Sequence, residues 1–422
     1  MRVGVSSLRR LRAIPSGRPE LAAFTGVFAA TLLCFLAIGA VLPTLPKYVK
    51  GPMGAGDVAV GIVMGAFALT ALIGRPVGGR LADRFGRKVV LGAGLAIAAA
   101  SGLLLFLPSV AGLIVARFAV GLGEGWVFTA GVTWIVDIAP DRRRGQAIGI
   151  YGLSIWAGLT FGAMLGVGAQ ALGGYDAVWI FATVLPLIGL LVACIVPEHR
   201  TARAAQPVPA AETAQVAAFG TPSTTGRRGL IPRETIRPGI ALGLGNLGYG
   251  TMGAFVVLLL DWRGFGHGAT AFVAFTGSLL LTRIGLSPLP DRIGARVTAL
   301  GSGIVEGLGL LGLAVAHSLP AALAASALMG AGMSMLFPAL AILVVDGVSP
   351  ERRGAAMGGF TAFFDIGFGL GAPFAGIIVS LGEGNHYPTA FAVAGALCIL
   401  GALIGWRGTQ PAPTGAPAPM RA

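Results

Sequence analysis

Long, continuously apolar stretches separated by short polar segments account for most of the chain. Each approaches or exceeds the roughly 20 residues that a helix needs to cross about 30 Å of hydrocarbon. Backbone polar groups in lipid are satisfied only in helices or closed barrels, and the period-two alternation of a barrel strand is missing. The pattern therefore predicts an all-α integral membrane protein with twelve transmembrane helices. We number the stretches span 1 to span 12; they lie near residues 21–41, 58–80, 88–107, 109–137, 145–171, 177–197, 238–260, 268–290, 296–315, 319–346, 354–382 and 387–407.

The composition agrees with this prediction. Of the 422 residues, 55% are hydrophobic and 11% are charged, whereas soluble domains carry about 25% charged residues. A water-soluble enzyme, a disordered chain and a disulfide scaffold are all disfavoured. The three cysteines, Cys34, Cys194 and Cys398, lie in separate apolar stretches, so we expect no disulfide, metal site or cofactor.

The formal net charge is +13, and its distribution argues for a membrane rather than nucleic acid as the partner. Positive charge collects in alternate loops, which by the positive-inside rule face the cytoplasm together with both termini. The first apolar stretch is too long for a secretory signal and is predicted to be retained as span 1. The basic segments are the tail before span 1, residues 83–88, 141–144, 198–238, 291–296 and 351–353, and Arg407.

Between spans 6 and 7 the chain turns polar, with Ala, Thr, Pro and Gly beside several charges. Such a composition cannot form a core and predicts a cytoplasmic linker. The predicted organisation is a basic tail (1–20), a six-helix bundle (21–197), the linker (198–238), a second six-helix bundle (239–407) and a C-terminal tail (408–422).

The second bundle repeats the first at an offset of about 208 residues. Three separate registrations at nearly one offset indicate an internal repeat. Two parallel halves of this kind commonly enclose a site that opens to alternate sides of the membrane. The matching residues are Arg75 with Arg283, Asp83 with Asp291, Gly86 with Gly294, Asp137 with Asp346, Gly145 with Gly354, Gly158 with Gly367 and Gly162 with Gly371.

Residues 79–91, GRLADRFGRKVVL, resemble the loop signature of the major facilitator superfamily, and residues 291–294 resemble its degraded second copy. The resemblance extends over residues 21–407 and implies the major facilitator fold. It also implies a conformational lock at the cytoplasmic surface, in which Asp83 faces the start of span 11 near Gly354. The lock residues are Gly79, Asp83, Arg84, Gly86, Arg87, Lys88, Asp291 and Arg292.

Ionisable residues at membrane depth are costly and are functional candidates by default. Arg117 and Glu124 in span 4 are seven residues apart and so share a helix face. Their surroundings resemble the family's fourth-helix motif, whose arginine is implicated in proton transfer, although Val120 replaces the usual Gln. We expect Arg117 to hold Glu124 ionised. Arg117, Glu124 and Asp365 of span 11 are the predicted proton-coupling residues.

Span 5 contains Gly158, Gly162 and Gly166, and resembles the Gly-x-x-x-Gly-Pro-x-x-Gly signature of the family's antiporters, with Ala163 in place of the proline. Small residues four apart allow close helix packing. We expect this packing to lie between the halves and to include Gly367 and Gly371 at the repeat positions, with Pro373 one place later than the signature has its proline.

Aromatic and polar side chains on spans 4, 5 and 7 could line a substrate pocket. They are Trp126, Thr129, Tyr151, Trp156, Asn246 and Tyr249. Glu306 lies on span 9, which in the family usually packs on the outside. For Glu306 we expect an inter-helix hydrogen bond or a protonated carboxyl group.

The favoured hypothesis is a monomeric, proton-coupled exporter of small amphipathic compounds in a bacterial inner membrane. Such an exporter resembles the drug:proton antiporter and sugar-efflux branch of the superfamily, and this resemblance implies a connection with multidrug resistance. Uptake of a sugar or organic anion by symport and a non-transporting receptor are the alternatives. The sequence has no Walker loop, zinc-protease motif or nucleophile elbow, so an enzyme is not expected.

Overall fold

The computed structural model describes residues 18–140, 143–196, 232–349, 352–381 and 385–408. Most of the predicted tails and linker lies outside these ranges. Within them the regular secondary structure is helical, and two short helices, Leu45–Lys50 and Leu289–Ile293, accompany the long ones. The long helices are Arg18–Val41 (span 1), Asp57–Phe85 (2), Arg87–Leu104 (3), Val110–Ile138 (4), Arg144–Ile195 (5 and 6), Arg233–Trp262 (7), Gly268–Leu286 (8), Ala295–Val315 (9), Leu319–Asp346 (10), Arg353–Val379 (11) and Tyr387–Gly408 (12).

In the described ranges, eleven helices are long and apolar enough to cross a membrane, and one of them has 52 residues. That helix is broken at Gly173 and Gly174, the latter with φ 68° and ψ −160°. The part of this helix before the break runs parallel to span 1, because the residue numbers of its contacts rise together with those of span 1. The part after the break runs antiparallel to span 1, because its residue numbers rise while those of the contacted span 1 residues fall. The helix therefore makes two antiparallel crossings, which gives the twelve predicted spans. The contact pairs are Gly158 with Phe35, Gly166 with Ala40, Gly189 with Ala30 and Val196 with Gly26.

The internal repeat is visible in the backbone. Gly86 joins spans 2 and 3 with φ 99° and ψ 153°, and Gly294 precedes span 9 with φ 87° and ψ 141°. These positive φ values favour glycine. Ser109 and Ser318 each cap the following helix with a side-chain oxygen. Because successive spans alternate in direction, the turns at Gly86 and Gly294 lie on one face, which we call the basic face.

The two bundles meet mainly through spans 2 and 11. Small residues bring the two backbones into direct contact, since a Cβ atom added at Gly65 would lie 2.4 Å from the carbonyl oxygen of Gly369. Gly61 meets Ala372 in the same way. These contacts lie between mid-depth and the face opposite to the basic face, which we call the opposite face.

The glycine motif of span 5 packs differently from the expectation. Gly162 and Gly166 lie against the backbone of span 1, and Gly367 and Gly371 lie against span 7. These pairs hold helices together inside each bundle, so the predicted packing between the halves is wrong for them. Among the predicted packing residues, Pro373 is the one that contacts the other bundle, at Gly61 and Gly65 of span 2. Glycine spacing reveals that a helix face packs closely but not which neighbour it meets.

Candidate functional site

A cavity lies between the two bundles and encloses about 1100 Å³ of empty space, including its mouth. Its wall is mostly aromatic and aliphatic. The charged residues in the wall are Arg75, Arg117, Glu124 and Arg283, accompanied by the polar Asn246. An apolar pocket with few polar groups suits an amphipathic small molecule.

Arg75 of span 2 joins the two bundles at mid-depth. Its Nη1 donates hydrogen bonds to both carboxylate oxygens of Asp365 in span 11, at 2.9 and 3.0 Å. Its Nη2 lies 3.4 Å from Oε1 of Glu124 in span 4. The guanidinium carbon lies 5.1 Å from the centre of the Phe128 ring. We call Arg75, Glu124 and Asp365 the triad.

The triad is buried, with side-chain exposures of 12% for Arg75, 6% for Glu124 and 7% for Asp365. One guanidinium thus faces two carboxylates where water is scarce. Oε2 of Glu124 is buried and has no hydrogen-bond partner among the described residues. Since an unpaired buried charge is costly, this oxygen is well placed to bind a proton.

Arg117 is not the partner of Glu124. It donates hydrogen bonds to the carbonyl oxygens of Val63 at 3.3 Å and Met64 at 3.2 Å, and its guanidinium lies 4.9 Å from the centre of the Phe67 ring. Helix periodicity correctly placed Arg117 and Glu124 on one face, since both line the cavity. However, the cation that reaches Glu124 comes from the neighbouring span 2.

The residues expected to contact substrate fall into two groups. Trp156, Asn246 and Tyr249 line the cavity. Trp126, Thr129 and Tyr151 are absent from its wall and pack inside the N-terminal bundle. Tyr151 is fully buried with its hydroxyl 3.1 Å from that of Thr31.

Arg75 and Arg283 are the cavity residues that sequence reasoning missed. Both lie inside apolar stretches, and they marked the repeat without being considered as site residues. Arg75 lies ten residues from the helix end at Phe85, or about 15 Å along the axis, which places it well inside the membrane. The signal that could have identified them was the presence of an arginine at the same position in both copies of the internal repeat.

The predicted lock residues make their contacts within one bundle in this structure. Asp83 is exposed and pairs with Arg87, which also pairs with Asp137 of span 4. Lys88 donates hydrogen bonds to the carbonyl oxygens of Cys194 and Val196. Arg84, Asp291 and Arg292 are exposed, and Gly79 lies next to Thr129. The proposed contact between Asp83 and span 11 therefore remains a prediction for another conformation.

At the opposite face, polar contacts do connect the bundles. Tyr387 of span 12 donates a hydrogen bond of 2.8 Å to Oδ1 of Asp57 in span 2, and Lys50 pairs with Oδ2 of the same carboxylate. Lys47 pairs with Asp261 at 2.8 Å. We call these five residues the latch. The latch links the two bundles at the opposite face in this structure.

Glu306 of span 9 lies outside the cavity wall and is fully buried. Neither carboxylate oxygen has a hydrogen-bond partner among the described residues. Gly245, Gly248 and Gly332 surround it. An ionised carboxylate there would be unpaired, so the burial supports the second expectation, an uncharged carboxylic acid.

Comparison with solved structures supports the fold. The human organic anion transporter MFSD10 (TETRAN) superimposes with a TM-score of 0.67 at 19% identity, covering 92% of this chain and 100% of that chain. A single-residue variant of the nucleoside transporter NupG superimposes with a TM-score of 0.72 at 14% identity, with the same coverage.

Curated relatives match nearly the whole chain. The uncharacterized MFS-type transporter STM4428 of Salmonella typhimurium is 32% identical over 388 residues, covering 90% of this chain and 94% of the relative. The uncharacterized MFS-type transporter YhhS of Escherichia coli K12 is 29% identical over 382 residues, covering 88% and 89%. The profile of the Major Facilitator Superfamily matches residues 27–285 and 239–422. With twelve spans in two repeated bundles around a central cavity, this chain is a membrane transporter of the Major Facilitator Superfamily.

Proposed function

We propose that this chain is a proton-coupled secondary transporter of small amphipathic organic compounds, and that the triad is its coupling site. The observation that carries this proposal is the contact of Arg75 with one carboxylate from each bundle. Glu124 belongs to the N-terminal bundle and Asp365 to the C-terminal bundle. A proton on either carboxylate removes one of the charges that Arg75 holds.

Loss of the Arg75–Asp365 ion pair removes a strong link between the bundles at mid-depth. Charge-assisted hydrogen bonds are about twice as strong as neutral ones. Protonation of Asp365 therefore weakens the interface between spans 2 and 11, whereas deprotonation restores it. In this way the protonation state biases the equilibrium between the two orientations of the bundles.

The contacts between the bundles at the two membrane faces determine which side of the cavity is open during the transport cycle. With the basic face on the cytoplasmic side of a bacterial inner membrane, the latch closes the periplasmic side here. In the other orientation the latch residues separate and Asp83 approaches the start of span 11. Only one side of the cavity is then open at a time, as alternating access requires.

The charge of the substrate decides the direction of coupling. A cationic substrate competes with the proton for Glu124 and Asp365, so the two move in opposite directions. This is the export by antiport that the span 5 resemblance implies, and the two buried carboxylates of the triad, of which Glu124 lines the cavity, favour it. An anionic substrate and a proton stabilise each other in a low dielectric, so they move together. Arg117 and Arg283 in the cavity wall favour this second candidate, uptake by symport.

Proteoliposomes that contain the full chain and an internal pH dye test the proposal. Ethidium serves as an amphipathic cation and 2-naphthoate as an amphipathic anion. We expect one of them to change the internal pH through the wild-type protein. Glu124→Gln and Asp365→Asn should each abolish this change, while Glu306→Gln, a matched change of a buried acid outside the cavity, should retain it. If both triad variants keep the coupling, the coupling site is assigned wrongly.

A further inference from the structure

Arg283 occupies the position in the second bundle that Arg75 occupies in the first. Both arginines lie in the second span of their bundle at the repeat offset, and both line the cavity. The helix packing around them also repeats. Gly121 of span 4 lies against Phe67 of span 2, and Gly330 of span 10 lies against Phe275 of span 8. Each arginine therefore faces the fourth span of its own bundle.

The partners of the two arginines differ. At the offset of 209 residues, Met333 stands where the first bundle has Glu124, and Trp156 stands where the second bundle has Asp365. Both Met333 and Trp156 line the cavity. Repeat symmetry thus gives Arg283 a thioether and an indole ring in place of two carboxylates. Within the described parts of the chain, no carboxylate forms an ion pair with Arg283.

The cavity consequently carries more positive than negative charge. Arg75 already holds both carboxylates, Glu124 and Asp365. Arg117 donates hydrogen bonds to backbone carbonyl oxygens rather than to an acid. Arg283 is therefore the guanidinium whose charge and donors are left for a ligand. A guanidinium fork matches a planar carboxylate with two parallel hydrogen bonds.

We propose that Arg283 is the substrate anchor and that the substrate is a small organic anion, with a carboxylate on Arg283 and an apolar, partly aromatic body against Trp156 and Met333. This inference rests on the proposed function and selects its second candidate, because an anion at Arg283 favours a proton on the triad. Substrate and proton then bind to the same state and cross together.

The binding experiment uses the purified full chain in lipid nanodiscs with tritiated 2-naphthoate. Unlabelled 2-naphthamide and 2-naphthylmethylammonium, which keep the ring but are neutral and cationic, serve as competitors. We expect 2-naphthoate to compete best. Arg283→Gln should weaken its binding roughly 10- to 100-fold, as for the loss of a charged hydrogen-bonding partner. Arg80→Gln makes the same charge change at an exposed position and should leave binding unchanged.

A second pair of variants tests the repeat argument without removing Arg283. Met333→Glu gives Arg283 the partner that Glu124 gives Arg75, so 2-naphthoate binding should be lost. Met333→Gln has the same shape as Met333→Glu without the charge, and should weaken binding far less, because it removes only apolar contact. Equal binding to these two variants overturns the proposal, and so does a failure of 2-naphthoate to bind or to outcompete the amide and the ammonium compound.

The proton measurement separates this inference from the proposed function. If 2-naphthoate binding depends on Arg283 but transport leaves the internal pH unchanged, the role of Arg283 as substrate anchor is supported and proton coupling is refuted. If ethidium instead of 2-naphthoate moves protons through the triad, the coupling stands and the anchor fails.

Discussion

Removal of one hydroxyl group from the latch should open the opposite face. In Tyr387→Phe, the hydrogen bond to Asp57 disappears while the ring and its contacts with Phe255 and Trp262 remain. Lys50 still pairs with the other carboxylate oxygen. The variant therefore removes one contact between the bundles and leaves each bundle intact.

The size of the effect follows from the geometry. The bond is 2.8 Å long, and Tyr387 and Asp57 are 3% and 6% exposed. When the face opens, both groups form hydrogen bonds with water instead. The bond therefore stabilises the closed state only by its free energy relative to those hydrogen bonds with water. A hydrogen bond to a charged group contributes about 1.5–3 kcal/mol, or roughly a 10- to 150-fold change in the closed-to-open ratio. A closed population of about 99% would fall to between about 90% and about 40%.

Distance measurements between two spin labels can detect this shift. Labels at Pro52→Cys and Leu381→Cys, in a background without Cys34, Cys194 and Cys398, lie in exposed positions on different bundles at the opposite face. We expect Tyr387→Phe to add a population at longer distance. Tyr48→Phe is the matched control, because Tyr48 packs against Tyr175 and Trp179 within the N-terminal bundle. An unchanged distribution in Tyr387→Phe, or the same shift in Tyr48→Phe, contradicts the role given to the latch.

Three further predictions concern stability in detergent, measured by thermal unfolding. Arg75→Gln leaves two buried carboxylates without their cation and should destabilise the protein by about 3–5 kcal/mol at pH 8. Adding Asp365→Asn to this variant should recover part of the loss. An unaltered melting temperature in Arg75→Gln would contradict the ion pairs. Gly162→Val forces a side chain into span 1, where even a Cβ would lie 2.3 Å from a carbonyl oxygen, so we expect little folded protein, while Gly168→Ala, with open space around it, should fold normally. Glu306→Gln should change the stability by less than about 1 kcal/mol, because an uncharged acid and an amide have nearly the same shape; a large loss would contradict the uncharged state of this acid.

Hydropathy and the internal repeat were sufficient for the fold. A span is a local property of about 20 consecutive residues, and the repeat links the two bundles without any knowledge of their contacts. Even the break at Gly173 and Gly174, where the secondary structure continues as one helix, agrees with the polar gap between spans 5 and 6 in the sequence. Gly86 lies in the polar gap between spans 2 and 3, and it has the positive φ that a tight reversal requires.

The triad was only partly accessible from the sequence. Helix periodicity relates residues on one helix, such as Arg117 and Glu124, but the depth and rotation of neighbouring helices depend on side-chain packing across the bundle. Those quantities brought Arg75 to Glu124 and turned Arg117 towards the carbonyl oxygens of span 2. The contact between Arg75 and Asp365 joins residues 290 positions apart, and no local pattern encodes it.

The backbone contact at Gly65 makes this position a natural site for a wedge. In the present state a larger side chain has no room there, since even one methyl group would overlap the carbonyl oxygen of Gly369. In an orientation where spans 2 and 11 part near the opposite face, the same side chain would meet lipid or water instead. A single bulky residue at this glycine should therefore trap the transporter facing the other way, which offers a route to isolating its second conformation.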